Sequence, residues 1–273
     1  MPRRTIIYLS HGGGPLPLLG DPSHAEMVSM LQTLAAQLPK PESVILISAH
    51  WEAPVPTVTA APAPSLIYDY AGFPPESYRI EYPAPGRPEL ARRLVDLLQQ
   101  HGLAAVADPQ RGFDHGLFVP MKIMYPQADI PVVQLSLLRG LDPAQHIRLG
   151  QVLAELPDED MFIIGSGFSF HNLRAFFSVA TPQAQAENAA FEVWLRETCN
   201  SDLDETERRR RLIEWDEAPG ARYCHPREEH LIPLHVCYGA AQRSADAIYP
   251  CTVMDKQVST VVWQLSATGT QSA

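Results

Sequence analysis

Five histidines stand where an α/β protein places its chemistry. His11, His50 and His171 each follow an apolar run that predicts a strand, TIIYLS, VILISA and MFIIGSGFSF. His115 lies in GFDHGLFVP and His230 in HPREEHLIPL. Because the ligand crevice of an open α/β sheet lies outside the carboxyl ends of its strands, these rings are expected to converge. Neutral imidazole binds divalent metals and histidine also moves protons near neutral pH. The pattern therefore predicts a metal site with its own acid–base groups.

The first two candidate ligands are His11 and His50. A single histidine after a strand is more often a hydrogen-bonded structural residue than a ligand, so the grouping carries the argument. If the two lie on neighbouring parallel strands, about 4.8 Å apart, both imidazoles can reach one ion. A third ligand must then come from another part of the chain.

His230 is the candidate for that third ligand. Pro226 predicts a helix start, with Glu228 and Glu229 near the positive end of its dipole and His230 one turn in. Pro233 is expected to kink or end this helix early. The other five histidines are expected to be structural or solvated: His24, His101, His146, His225 and His235. Of these, His225 is the first that could be an exception.

Strands and helices alternate along the chain in a way that predicts how these residues are held. The chain has 273 residues and is 45% hydrophobic, enough for one large core. This predicts a single α/β domain over residues 1–273, with a core from about 4 to 265 and a polar C-terminal tail. A central, mostly parallel or mixed sheet flanked by helices would place the active site at the carboxyl ends of its strands. The expected strands are Ile6–Ser10, Val44–Ser48, Pro131–Leu135 and Met161–Ile164, and the expected helices are His24–Leu38, Pro88–His101, Pro143–Leu156 and Ala184–Thr198.

Six ordered motifs carry a resemblance that covers most of the chain, from about Ser10 to Ala241. They resemble the class III extradiol ring-cleavage dioxygenases of the LigB superfamily, in particular the DOPA 4,5-dioxygenase-like branch. Six motifs in the same order and spacing are far more specific than any one alone. They are LSHGGGPLPLLGD, SAHWE, YDYAGFPPESYRIEYPAPG, GFDHGLF, GSGFSFHNLR and HPREEHLIPLHVCYGAA.

The resemblance implies a role for each of the five histidines. His11, His50 and His230 would bind the metal, and His115 and His171 would act beside it as catalytic acid–base residues. Relatives that act on protocatechuate hold iron with two histidines and a glutamate, whereas this branch uses a third histidine. Glu229 could compete with its neighbour, but adjacent residues on a helix point about 100° apart, so only one can face the metal. His230 is favoured.

The implied reaction is cleavage of a catechol ring by O₂ at a non-haem Fe(II), giving a muconic semialdehyde-type product. Three neutral imidazoles also suit Zn(II), which can occupy such a site in preparations but has no redox couple with which to activate O₂. Two alternatives stay open. One is a zinc-dependent hydrolase using the same three histidines. The other is a non-catalytic binding module of the superfamily, similar to the mediator-of-motility proteins, although retention of both His115 and His171 argues against that loss.

Substrate contacts are expected from three segments. The proline-rich stretch Pro54–Pro88 cannot form a long helix and is expected to be an ordered excursion whose aromatics wall the pocket. Catechols with amino-acid, acid or bulkier substituents would present the same two oxygens, so the metal motif does not choose among them. The candidate contacts are Tyr68, Phe73, Arg174, Tyr223 and Arg227, with the two arginines able to pair a substrate carboxylate.

Composition limits the other partners. The formal charge of −10 and the pI near 5.4 disfavour binding to nucleic acid or anionic membranes. The basic run Arg208–Arg211 follows acidic residues and predicts a solvated, salt-bridged helix face. The run Gly12–Gly14 lacks the lysine of a phosphate loop and is expected to allow close backbone approach beside His11.

The cysteines and the apolar runs indicate a compartment. The four cysteines show no CxxC pairing, and neither a signal peptide nor a bilayer-spanning apolar stretch is recognised. These features predict a cytoplasmic protein. A monomer and a homo-oligomer are both compatible with the sequence.

Overall fold

One mixed sheet of eight strands forms the centre of the protein. The computed structural model describes residues 3–156, 160–179, 181–200 and 202–266. In chain order the strands are β1 (Arg3–Ser10), β2 (Ser43–Ala53), β3 (Thr57–Thr59), β4 (Val106–Asp108), β5 (Val132–Leu138), β6 (Met161–Gly167), β7 (Ala247–Val253) and β8 (Lys256–Ser266). Their order across the sheet is β4-β3-β5-β2-β6-β1-β8-β7.

Helices cover this sheet. Within the described residues they are α1 (Ala25–Gln37), α2 (Pro88–Gln100), α3 (His115–Met124), α4 (Pro143–Leu153), α5 (Leu173–Phe176), α6 (Pro182–Asn200), α7 (Glu205–Ile213), α8 (Ala221–Cys224) and α9 (Ile232–Ala241). The predicted single-domain α/β fold is confirmed. The expected polar tail lies outside the described residues from position 267 onward. None of the described helices combines the length and apolar character that crossing a bilayer requires.

The four central strands, β5, β2, β6 and β1, are parallel to one another. Their residues are buried on both faces, as in Val44–Ile47 and Ile163–Ile164. A parallel strand covered by helices on both sides needs a continuous apolar run rather than alternation, which is why these segments stand out in the sequence. The C-terminal hairpin of β7 and β8 adds antiparallel pairing to β1 and was not predicted.

The condition considered for His11 and His50, that they lie on neighbouring strands, is not met. Strand β6 lies between β1 and β2 and pairs with both of them. Strand β2 also continues past the predicted end at Ser48, with a register shift between Ile47 and Glu52, so His50 lies within the strand. Because β6 ends at Gly167, the two histidine rings meet beyond the end of the strand that separates their backbones.

The helix predicted to begin near Pro226 and to contain His230 begins six residues later, so His230 lies outside it. Helix α9 starts at Ile232 with Pro233 in its first turn, and His230 lies in the preceding turn, where the N–H groups of Leu231 and Ile232 donate to Glu228 O at 2.8 and 3.0 Å. Proline is tolerated at a helix start because the N–H that it lacks would have no partner there. Pro233 therefore opens the helix instead of ending it.

The backbone around His230 is fixed against the end of β6. Its carbonyl oxygen accepts hydrogen bonds from Phe168 N at 3.0 Å and from the Tyr8 hydroxyl at 2.9 Å. A Cβ atom at Gly167 would lie 2.0 Å from the same oxygen. Glycine is thus required where the His230 turn crosses the sheet, because any larger residue would push this turn away.

The arginine run of α7 is only partly the solvated face that was predicted. Arg210 and Arg211 both pair with Glu207, at 2.8 Å in each case. Arg208, in contrast, is buried and donates to the carbonyl oxygens of Thr198 and Leu203. One arginine of the run is therefore part of the packing between α6 and α7.

The excursion between β2 and α2 is ordered and contains no α-helix, as predicted. It holds the short strand β3 and a 3-10 turn at Pro75–Arg79. The hydroxyl groups of Tyr68 and Tyr70 donate to the carbonyl oxygens of Ile80 and Ser77, each at 2.7 Å. These bonds fold the excursion back on itself beside the carboxyl end of the sheet.

Candidate active site

A cavity of about 830 Å³ lies at the carboxyl ends of the central strands, and all five singled-out histidines line it. The rings of His11, His50 and His230 form a triangle, with centroids 4.9 to 5.3 Å apart. One ring nitrogen from each of the three lies within 4.8 Å of the others. The structure thus brings together the three predicted ligands from β1, β2 and the turn before α9.

The two predicted acid–base residues flank different members of this triangle. His115, the first residue of α3, packs on His50 with ring centroids 3.9 Å apart. His171 stacks on His230 at 3.4 Å, with only 17° between the ring planes. Both rings also line the cavity.

Hydrogen bonding assigns the tautomer of His11. The Ser166 hydroxyl donates its proton to the carbonyl oxygen of Gly116. It must therefore accept from Nδ1–H of His11, which lies 3.0 Å away. The proton on Nδ1 leaves Nε2 with a lone pair that points at His50. A hydrogen bond of this kind orients a metal-binding histidine and raises its basicity.

Glu229 orients two histidines at once. Its Oε1 atom accepts from Nδ1 of His230 at 2.9 Å and from Nδ1 of His171 at 3.0 Å. Burial alone would raise the pKa of Glu229, but the hydrogen bond from His171 and neighbouring positive charge hold this pKa below its ordinary value. A charged carboxylate therefore lies behind both rings. The residue that sequence reasoning treated as a competitor of His230 is its hydrogen-bond partner.

Asp69 does the same for His115 and was missed in the sequence. Its Oδ1 atom accepts from Nδ1 of His115 at 2.8 Å and from the backbone N–H of that residue at 3.0 Å. Its Oδ2 atom lies 3.7 Å from Nδ1 of His50. Burial opposes the charge of Asp69, but the bond from His115 lowers its pKa below the ordinary value. Asp69 lies between two tyrosines in the motif YDYAGF.

A buried polar chain holds the backbone of His50. The Ser48 hydroxyl accepts from His50 N at 3.1 Å and donates to Asp114 Oδ1 at 2.7 Å. Asp114 is fully buried, and burial raises its pKa. Gly116 leaves room for these hydrogen-bonded side chains, because a Cβ atom there would lie 2.4 Å from Ser48 Oγ and 3.1 Å from the His50 ring.

The triangle has the electrostatics of a metal site. Burial lowers the pKa of His11 and of His230 well below the ordinary value, and neighbouring histidines lower both further. Burial followed by His115 lowers the pKa of His50 to about 3. All three rings are therefore neutral at physiological pH, which is the form that binds metals. The Nε2 atoms of His11 and His50 lie 3.0 Å apart, about the separation of two nitrogens at right angles around one ion. The donors present fit a divalent metal.

The five remaining histidines lie outside the cavity lining. His24, His146 and His235 are buried rather than solvated, and His24 accepts from Gly13 N at 3.0 Å beside the glycine run. Gly12 has a φ of +84° and no room for a side chain, in agreement with the close approach expected there. His225 donates to Ser169 O at 2.9 Å and lies outside the cavity lining.

The predicted substrate contacts are only partly brought together. Phe73 and Arg227 line the cavity. Tyr68, Arg174 and Tyr223 are described by the structure but lie outside that lining: Tyr68 packs behind Tyr70, and the Tyr223 ring packs on Phe170 at 5.8 Å. The lining also includes Tyr70, one of the aromatics of the excursion that were expected to wall the pocket. It includes further apolar residues that the sequence did not single out: Leu16, Phe168, Leu173, Phe176, Phe177 and Met254.

Comparison with known proteins identifies the family of the chain. Residues 5–272 match the family described as the catalytic LigB subunit of aromatic ring-opening dioxygenase. The chain belongs to this family. It is therefore a ring-cleavage dioxygenase.

Individual relatives are also named as dioxygenases. The chain is 44% identical to dioxygenase tasH of Hapsidospora irregularis over 254 residues, covering 86% of this chain and 78% of that protein. It is 40% identical to a 4,5-DOPA dioxygenase extradiol of Beta vulgaris, covering 89% of each chain. A crystal structure of an uncharacterized Escherichia coli K12 protein superposes with a TM-score of 0.75 at 28% identity, covering 96% of this chain and 100% of the other.

The hydrogen bond from His11 to Ser166 yields a test of the triangle. Replacing Ser166 with alanine removes the acceptor that holds Nδ1 protonated, so metal affinity should fall by about 10- to 100-fold. Competition with a chromophoric chelator measures this. Ser10→Ala is the matched control, because the Ser10 hydroxyl is also buried but has no hydrogen-bond partner among the described residues. An unchanged affinity in Ser166→Ala, or an equal loss in both variants, would contradict the assigned role.

Proposed function

We propose that this chain is a non-haem Fe(II)-dependent extradiol dioxygenase, which opens the ring of a catechol with O₂ and yields a muconic semialdehyde-type product. The observation that supports it most is the triangle of neutral, buried imidazoles from His11, His50 and His230, flanked by two histidines held by carboxylates. A divalent ion held by these three residues would supply Lewis acidity toward the catechol hydroxyls and, as Fe(II), a redox couple for O₂. Zn(II) suits the same donors and can occupy the site in preparations.

The two flanking histidines are proposed to move protons. In His171 the Nδ1 atom faces Glu229, which leaves Nε2 to take the proton of a catechol hydroxyl. In His115 the Nδ1 atom donates to Asp69, so its Nε2 is likewise available. Either ring, after it has taken up a catechol proton at Nε2, then donates that proton to oxygen as the ring opens. Each carboxylate stabilises the imidazolium that forms, as the buried aspartate does in a Ser-His-Asp triad.

We also propose the partners of the protein and its location. The partners are a small catechol and O₂. The four cysteines of the chain are unpaired and buried, which suits a reducing compartment, and we propose a cytoplasmic location.

The ligand assignment predicts the metal content of single variants. Purified protein should bind one divalent ion per chain, and His11→Ala, His50→Ala and His230→Ala should each abolish tight binding, because three donors are then reduced to two. Elemental analysis after dialysis measures this. His101→Ala serves as the control, since that ring pairs with Glu155 away from the cavity. Full metal occupancy in His230→Ala would show that His230 is not a ligand and would make Glu229 the next candidate.

Oxygen dependence separates a dioxygenase from a zinc hydrolase on the same site. With Fe(II)-loaded protein, catechol should consume O₂ and produce the yellow semialdehyde chromophore, whereas anaerobic protein should bind catechol without forming product. An oxygen electrode and absorbance spectra follow the two events. Turnover without O₂, or equal turnover with Zn(II), would rule out ring cleavage by O₂.

The stacking of His171 on His230 allows a test of its acid–base role. In His171→Phe an aromatic ring can keep the stacking, so metal content and thermal stability should stay near those of the parent. The proton acceptor is lost, so catechol turnover should fall by about 10²- to 10⁴-fold and its pH profile should change.

Two outcomes would reassign His171. Loss of the metal in His171→Phe would make His171 a ligand. Full activity would make it structural and leave His115 as the acid–base residue to test. The matched control is His101→Phe, which introduces the same ring outside the cavity.

A further inference from the structure

The cavity is larger than a catechol ring requires. Its volume of about 830 Å³ lies in the upper part of the range that accommodates drug-sized ligands, about 300–1,000 Å³. The histidines occupy its floor. Provided that the proposed function is correct and the ring lies on that floor, the outer part of the cavity receives the substituent of the ring, and its charge and surface select the substituent.

Arg227 is the one lysine or arginine among the described residues that line the cavity. Its Nη2 atom donates to both carboxylate oxygens of Glu52, at 2.6 and 2.8 Å, and its Nη1 atom lies 3.5 Å from Glu229 Oε2. The guanidinium therefore lies between two carboxylates, one from β2 and one from the turn before α9. It joins the two sides of the cavity.

This placement disfavours a substrate carboxylate. Such a group would have to displace Glu52, which is already close to Arg227 and needs no association from solution. The displaced Glu52 and the nearby Glu229 would then face the incoming negative charge without their cation. Of the three carboxylates in the lining, Asp69 is also committed, to His115. Apart from the histidines, the described residues of the lining offer an anionic substituent no further positive side chain.

The rim offers apolar surface instead. Leu173 and Phe177 line the cavity while 60% and 85% of their surface is exposed. Phe176, between them, packs against Phe168 and Phe170 with ring centroids 5.6 and 5.4 Å apart, and this contact anchors the segment. Phe73 provides aromatic surface elsewhere in the lining. An apolar substituent lying along the rim would remove Leu173 and Phe177 from water, which favours its binding.

We propose that the substrate is a catechol with an extended, uncharged and apolar substituent, and that Glu52 determines this preference by holding Arg227. The substituent lies along Leu173 and Phe177. Amino-acid and carboxylic-acid catechols are accepted less well, because their carboxylate finds Arg227 already paired. Glu52 thus acts on specificity through Arg227 and takes no part in the proton transfers.

A pair of substrates of matched shape tests the proposal. The neutral one is 4-(3-methylbutyl)catechol, and the anionic one is 3-(3,4-dihydroxyphenyl)propanoate, in which a carboxylate replaces the terminal isopropyl group. The wild-type enzyme should favour the neutral compound by about tenfold in kcat/KM. Anaerobic calorimetry should show the same order of affinity, so the preference can be read even if neither compound consumes O₂.

Variants then assign the preference to residues. Glu52→Gln frees Arg227, so the ratio of neutral to anionic kcat/KM should fall by about five- to tenfold. Adding Arg227→Gln to that variant should restore the ratio. Phe177→Ser should lower the ratio of the neutral substrate to unsubstituted catechol by about tenfold. Val179→Ser is the matched control, because Val179 is 93% exposed but lies outside the cavity lining, and it should leave this ratio unchanged.

The outcomes separate this proposal from the proposed function. If no catechol consumes O₂ while the calorimetric preference holds, the ring-cleavage assignment fails and the substituent assignment stands. If catechols are cleaved but the wild-type enzyme prefers the anionic compound, or an amine of matched length, the substituent assignment alone is overturned. An unchanged ratio in Glu52→Gln would likewise remove Glu52 from the control of specificity.

Discussion

The active site depends on the hydrogen bonds made by the Nδ1 atoms of its histidines. Ser166 holds His11, Asp69 holds His115, and Glu229 holds both His230 and His171. A proton fixed at Nδ1 sets the tautomer and leaves Nε2 as the atom that can bind or take a proton. Five imidazoles crowded into one buried space would otherwise repel one another on protonation. Burial lowers the pKa of the three central rings, so they remain neutral and can stay together.

The sheet turns this set of hydrogen bonds into a rigid arrangement. Ser166 belongs to β6, the strand that separates the two strands carrying His11 and His50. The end of β6 thus supplies the hydrogen-bond partner of His11, and the adjacent Gly167 leaves room for the turn that carries His230. Asp69 and Glu229 come from loops, but each is tied to a histidine on a fixed element or turn. This follows the general rule that functional loops at the carboxyl edge of an α/β sheet are positioned by a rigid scaffold.

Charge is distributed unequally between the floor of the cavity and its rim. The carboxylates near the floor stabilise protonated histidines during proton transfer, as proposed for His115 and His171. Toward the rim, Arg227 is already neutralised by Glu52 and Glu229, and exposed apolar residues follow. The floor holds the proposed metal ligands and acid–base residues, whereas the rim holds the proposed contacts of the substituent. The two regions can therefore differ in how strongly they constrain the substrate.

Local patterns in the sequence were sufficient for the fold class and for the five central histidines. Continuous apolar runs report strands buried on both faces, and the ordered motifs at their ends carry the family resemblance. The same patterns were insufficient for Pro233, since proline marks a helix start as readily as a helix end, and for Arg208, since a charged run does not show which member is buried. The order of the strands and the partners of the histidines emerged only from the tertiary structure. Ser166 lies 155 residues from His11, and Glu52 lies 175 residues from Arg227. Contacts of this kind are created when distant segments pack together, so no local pattern of residue types reports them.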